Sequence, residues 1–276
     1  MSRLRVGAIQ LASGPDRDAN LLTITRLIER AAAQGCQVVG LPEVANLRAE
    51  PVTLAHGESI PGPTTDALAA LARRLGVWVH AGSLLERAPE AEPRLFNTSV
   101  LIDPDGEVTA TYRKVHLFDV DLSDGSRFRE SERVAPGDAV VTTRLGDVEV
   151  GLSICYDLRF PELYRRLADG GARLIFIPAA FTAVTGRAHW DILVRARAIE
   201  NQAFVVAPAQ IGGPVGLSPC YGHSLIVDPW GVVLAEAPDE QTVVVAELDV
   251  AALERVRAEF PSLAHRRLDQ PLAHVS

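Results

Sequence analysis

Three apolar runs in this chain each end on a residue equipped for chemistry. GLSICYDLRFPEL (151–163) closes its apolar run on Cys155 and passes directly into Tyr156, Asp157 and Arg159. LPE (41–43) sets Glu43 after an apolar run and a proline, and YRKVHLFD (112–119) sets Lys114 where a strand-like segment stops. A cysteine nucleophile needs a base or cation that favours its thiolate and a donor for the developing oxyanion. A glutamate, a lysine and a cysteine supply that set. Each alone has a plainer reading: a thiol on an apolar strand is inert core, and a Glu or Lys at a strand end is solvated surface. The carboxyl ends of strands are where α/β folds place their chemistry.

Rival chemistries leave weaker traces. Cys155, His116 and Asp119 can be written as a thiol-protease-like triad. However, Tyr156 is bulkier than the small residues that a glutaminase-type elbow wants beside its cysteine. His116 is therefore read as packing or hydrogen-bonding beneath the site. The seven histidines are dispersed with no metal-ligand spacing, so no metal is expected. IGGPVG (211–216) lacks the lysine and flanking helix of a phosphate loop and reads as a surface loop. Cys36, beside Val38 and Val39, reads as core, and Cys220 lies in a Gly/Pro/Ser-rich loop with no assigned role.

Elements that alternate along the chain position these residues. RVGAIQLA (5–12) reads as a strand, DANLLTITRLIERAAAQG (18–35) as an amphipathic helix and CQVVGLPE (36–43) as a strand. A helix over 64–76 and a strand over 77–86 follow. FNTSVLID (96–103) and VTATYRK (108–114) form a hairpin around PDGE. Residues 115–138 read as a long irregular loop, of the kind that carries function. A strand over 148–155 leads to a helix with Pro161 in its first turn. A strand over 173–181, a helix over 186–203, and strands over 204–210, 223–237 and 242–250 complete the pattern, the last two paired through the Asp228–Gly231 turn. No linker, repeat or low-complexity segment interrupts it. The expectation is one α/β domain of packed sheets with helices outside, over residues 1–260, and an arm over 261–276 that reaches a partner subunit or frays.

Composition excludes several function classes. The 276 residues are 47% hydrophobic, enough for a large core, and the net charge of −8 argues against a nucleic-acid or anionic-membrane surface. MSRLRVGAIQLASG reads as a strand rather than a signal peptide, and no stretch reaches a membrane span. Three scattered cysteines suit a reducing compartment, so a soluble cytoplasmic protein is expected.

Taken in order, GLPE, YRKVHLFD and SICYDLRFPELYR resemble the Glu, Lys and Cys motifs of the nitrilase superfamily, the carbon–nitrogen hydrolases. The resemblance runs from VGAIQL to the strands near residue 250. It implies a four-layer α-β-β-α sandwich, dimerised through helices, with no cofactor. It also implies that Glu43 is the general base, Lys114 the oxyanion-stabilising cation and Cys155 the nucleophile. RFRESERVAPGD (127–138) resembles the segment that carries a fourth catalytic residue, which Glu130 matches, with Glu132 close by. On this reading Lys114 lowers the Cys155 pKa. Cys155 attacks an amide carbonyl, and Lys114 and the Tyr156 N–H hold the oxyanion. Glu43 protonates departing ammonia and then activates water on the thioester.

Within the superfamily, AAFTAVTGRAHWDILVRARAIENQAFVVAPAQ (179–210) and YGHSLIVDPWG (221–231) resemble the Nit branch, closer to deaminated glutathione amidases than to ω-amidases. Both substrate types carry an α-keto acid, so the site must bind a carboxylate. Arg159 is the first candidate, against a structural ion pair with Glu162 or Asp157. Arg187 and Arg197 follow. Phe181, Thr182 and Trp190 are candidates for the pocket wall, although an aromatic on a helix is ordinarily core. A dormant scaffold on the same fold and a Cys-based acyltransferase are the readings from other classes.

Overall fold

Residues on one strand alternate between two cores, and that alternation builds the architecture. In the computed structural model, which describes residues 3–122, 125–213 and 216–267, the strand Arg3–Gln10 sends Leu4, Val6 and Ala8 into one core and Ile9 into another. Val38 and Val39, adjacent on the strand Val38–Gly40, divide the same way. A strand that is apolar on both faces needs cover on both.

The first sheet runs Thr242–Asp249, Arg3–Gln10, Val38–Gly40, Trp78–His80, Leu95–Ile102, Leu84–Arg87, with Val108–Arg113 and Val134–Ala135 also paired to Leu95–Ile102. The second runs Thr142–Leu145, Val148–Leu152, Leu174–Phe176, Phe204–Ala207, Leu225–Val227, Val233–Glu236. Each has a parallel centre and antiparallel flanks. Helices α1 (Arg17–Ala33) and α2 (Pro63–Leu75) cover the first sheet, and α3 (Pro161–Asp169) and α4 (Ala183–Asn201) cover the second. The result is the expected α-β-β-α sandwich. Between the sheets, His80 stacks on Phe176 with ring centroids 4.2 Å apart, and burial pushes the His80 imidazole down to about 3, so it is neutral there.

Local chemistry marks the helix ends. Asp16 caps α1 by accepting from the Ala19 N–H at 3.0 Å, Pro63 and Pro161 open α2 and α3, and Gly76 closes α2 at φ 65°. One helix was not expected: α5 (Val250–Glu259) starts with no intervening loop, because Asp249 is both the last strand residue and the helix cap.

Three other expectations are corrected. The Asp228–Gly231 turn joins the two halves of 223–237. The strand Thr242–Asp249 instead crosses to the other sheet and pairs antiparallel with Arg3–Gln10. The strand over 77–86 is broken at Gly82, which has φ 67°. The irregular loop 115–138 contains a small hairpin, Asp119–Asp121 with Arg127–Arg129. Residues 268–276, most of the expected arm, lie outside the described residues. No described helix is long and apolar enough to cross a membrane.

Candidate active site

Glu43 is held by the break that the strand reading missed. A Cβ on Gly82 would stand 1.9 Å from the Pro42 carbonyl oxygen, so only glycine lets the chain pass there. The next residue, Ser83, accepts from the Val44 N–H at 3.0 Å through Oγ. The peptide around Glu43 is thereby fixed, and its carboxylate is buried. Oε1 accepts from Lys114 Nζ at 2.8 Å and from Asn97 Nδ2 at 2.9 Å, and Oε2 accepts from the Ala180 N–H at 2.8 Å. Ala180 follows the second sheet's strand Leu174–Phe176, so this last bond bridges the two sheets.

Lys114 is 2% exposed and sits one residue beyond the strand Val108–Arg113. Its ammonium donates to Glu43 and to both Glu130 oxygens, at 3.0 and 2.9 Å. Glu130 also accepts from the Phe118 N–H at 2.7 Å and from Asn97 Nδ2 at 3.3 Å. Glu132 is exposed two residues on, so Glu130 is the carboxylate of the cluster.

Cys155 stands at a sharp elbow after the strand Val148–Leu152, with φ 47° in the left-handed region that side chains seldom adopt. Its N–H donates to the Pro178 carbonyl at 2.9 Å. Asp157, fully buried, pins the elbow: it accepts from the Ile154 N–H at 2.8 Å, Tyr112 Oη at 2.8 Å and His116 Nδ1 at 2.7 Å. His116 also stacks on Phe160 at 3.7 Å. Its acidic partner is therefore Asp157 and not Asp119, and the triad has no geometry. Arg197 donates twice to the Leu158 carbonyl, at 3.0 and 2.7 Å, and pairs with Glu200, so it braces the same turn.

The charges of the cluster are set by competition. Burial alone would raise the Glu43 carboxyl; the Lys114 charge and hydrogen bonds from its neighbours outweigh it and hold the pKa below the usual range. Burial would likewise neutralise Lys114, but Glu130 and Glu43 hold it firmly protonated. Cys155 goes the other way. Burial and the Glu43 charge push its thiol well above the ordinary value, and the opposing pull of Lys114 does not overcome them. Lys114 does lower the Cys155 pKa, as expected, but burial first and the Glu43 charge second outweigh it, so the net direction is upward.

Glu43, Lys114, Glu130 and Cys155 lie at one cavity of about 770 Å³, whose wall also includes Asn97, Tyr156, Arg159, Phe181 and Thr182. Arg159 makes no ion pair among the described residues; its guanidinium lies 4.9 Å over the Phe181 ring and 3.2 Å from His189 Nδ1. A candidate for the carboxylate and a candidate for the wall lie outside the cavity lining. Arg187 is exposed on α4, and Trp190 is fully buried behind Phe181, donating to the His223 carbonyl at 2.7 Å. Cys36 is core, as read, and Cys220 is buried on the cavity wall rather than in an open loop.

The sequence model of the family described as carbon–nitrogen hydrolase matches residues 5–258. The chain belongs to the carbon–nitrogen hydrolase family. It is a hydrolase of carbon–nitrogen bonds other than peptide bonds. It is similar to a deaminated glutathione amidase of Synechocystis sp., with 43% identity over 94% of this chain and 96% of that one. It is also similar to omega-amidase NIT2 of Xenopus tropicalis, with 37% identity over 98% and 97%. Among solved structures the NitFhit protein of C. elegans superposes with a TM-score of 0.90 at 36% identity over 98% of this chain, which spans 66% of that longer protein.

In this carbon–nitrogen hydrolase one residue that the motif reading passed over touches the cluster. Asn97 sits mid-strand, and its single amide nitrogen donates to both Glu43 and Glu130. The only signal for it was a polar residue in the apolar run LFNTSVLI. Asn97→Ala removes a donor to Glu43, whose other close neighbours are Lys114, Glu130, Cys155 and the Ala180 N–H. The acid limb of the kcat/KM profile is expected to move to higher pH. An unmoved limb would show that Asn97 only fills space.

Proposed function

We propose that the chain hydrolyses the amide of deaminated glutathione to 2-oxoglutarate and cysteinylglycine through a thioester on Cys155. The supporting observation is the buried Lys114 ammonium, gripped by Glu43 and Glu130, beside the Cys155 thiol at a cavity that also holds Arg159, which has no ion pair among the described residues. In this reading the α-keto acid carboxylate sits on Arg159, one turn beyond the nucleophile. Glu43 takes the thiol proton as sulfur attacks the amide carbon. Lys114 and the Tyr156 N–H, in the first turn of the 3₁₀ segment Cys155–Arg159, receive the oxyanion. Glu43 returns the proton to the leaving amino group of cysteinylglycine. It then deprotonates a water that cleaves the thioester, and the proton returns to sulfur. Glu130 orients Lys114. Phe181 and Thr182 bound the acyl half.

The rival substrate in the same family is 2-oxoglutaramate, whose leaving group is ammonia; the relatives named omega-amidase support it. The cavity volume favours the larger molecule, since about 770 Å³ is in the range of pockets for drug-sized ligands. The protein works in the cytoplasm as a homodimer or higher homo-oligomer, the form usual for the superfamily. Light scattering that shows a stable monomer would overturn that part.

The test of the substrate is a panel of deaminated glutathione, 2-oxoglutaramate, glutamine and an aliphatic nitrile, scored by kcat/KM. Deaminated glutathione is expected to rank first, with glutamine and the nitrile inert. Preference for the nitrile, or turnover only with an added amine acceptor, would replace the amidase reading.

A further inference from the structure

Five arginines among the described residues line the cavity: Arg48, Arg127, Arg129, Arg133 and Arg159. Three are matched with acids. Arg48 lies 3.8 Å from Glu50, and Arg127 and Arg129 each pair with Asp121 at 2.7 Å. Arg133 and Arg159 form no ion pair among the described residues. They come from different segments of the cavity wall: Arg159 ends the turn that Cys155 begins, and Arg133 caps the short turn Glu130–Glu132. The backbone of Arg133 is held in place. Its N–H donates to the Glu130 carbonyl at 3.0 Å, and its carbonyl accepts from the Leu95 N–H at 2.9 Å.

Charge makes the arrangement meaningful. Lys114 is already paired with both Glu43 and Glu130, so it is not free to hold a substrate carboxylate. Glu132 adds an exposed carboxylate to the rim. A ligand with carboxylates at both ends is repelled unless cations meet both ends. Arg159 meets the end that stays on the enzyme as the acyl group. We infer that Arg133 is the specificity-determining residue for a carboxylate on the leaving half, which selects amides flanked by two carboxylates over those that release ammonia. This rests on the substrate reading above, where that second carboxylate is the glycine end. Arginine suits the role because its planar fork binds a carboxylate with two hydrogen bonds.

The experiment pairs Arg133→Met and Arg133→Lys with three substrates: deaminated glutathione, the same molecule with its glycine carboxylate converted to a carboxamide, and 2-oxoglutaramate. The ratio of kcat/KM for deaminated glutathione to that for 2-oxoglutaramate is expected to fall about tenfold to a hundredfold in Arg133→Met, mainly through KM. Arg133→Lys should recover part of it. The unmutated enzyme should lose a similar factor on the carboxamide, whereas Arg133→Met should barely distinguish acid from carboxamide. A methionine variant that still discriminates as strongly as the unmutated enzyme would overturn the assignment while leaving the substrate reading intact. If the unmutated enzyme cleaves 2-oxoglutaramate but not deaminated glutathione, the substrate reading falls and takes the assignment with it.

Discussion

Cys155→Ala is expected to lower kcat by roughly 10⁴- to 10⁶-fold, the loss that follows when a covalent nucleophile is removed from an otherwise complete site. The fold should survive. The substitution deletes one buried sulfur, a loss of about 1 kcal/mol, and a melting-temperature shift of roughly 2–4 °C in a chain of this size. The strained φ of 47° is unchanged, because alanine carries the same Cβ. Mass spectrometry of enzyme quenched during turnover should find an acyl adduct on the unmutated protein and none on the variant. Turnover retained by Cys155→Ala would remove the thioester mechanism.

Lys114→Met should damage both activity and stability, because the ammonium is the cation that two adjacent carboxylates share. Without it Glu43 and Glu130 face each other out of water. Removing one partner of a buried ionic cluster costs about 3–5 kcal/mol, and losing the cation at the oxyanion about 10³-fold in kcat. The pH dependence has a definite sign. Glu43 titrates below its usual range when folded, so its contribution to stability is present above the unfolded carboxylate value and is lost as pH falls through the folded one. In the variant Glu43 loses the largest influence that lowers its pKa, so it protonates at higher pH and its repulsion with Glu130 fades in acid. The stability gap between the two proteins should therefore be widest near neutral pH and narrow toward pH 4. His116→Ala is the control. It loses the Asp157 contact and the Phe160 stack but leaves the Lys114 cluster whole, and should keep activity within about tenfold. If the histidine change is the lethal one, the roles assigned here are wrong.

Much of this was legible because strand ends and helix caps are written locally. Glu43, Lys114 and Cys155 each follow an apolar run, and the proline and glycine boundaries of α2 and α3 stand where such residues must. The misses have a common cause: they depend on what lies across space. Asn97 looked like one polar residue in a strand, and only the approach of two other segments makes its amide a tie between carboxylates. The upward shift of the Cys155 thiol could not be read from a nearby lysine, since burial and the Glu43 charge outweigh that lysine's pull. The pairing of Thr242–Asp249 with Arg3–Gln10 joins the chain's ends, beyond the reach of turn signals. Trp190 and Phe181 are both aromatic residues of one region, yet only folding decides which faces the cavity and which stands behind it.

The Ala180 N–H reaching Glu43 means that the Glu43 carboxylate and the Cys155 sulfur are delivered by separate halves of the sandwich. Catalysis is therefore a gauge of how the halves are registered. A slip of a fraction of an ångström along the seam that His80 and Phe176 share would misalign attack without exposing any core. Substitutions there, outside the cavity lining, should depress turnover at denaturant concentrations where circular dichroism still reports an intact molecule.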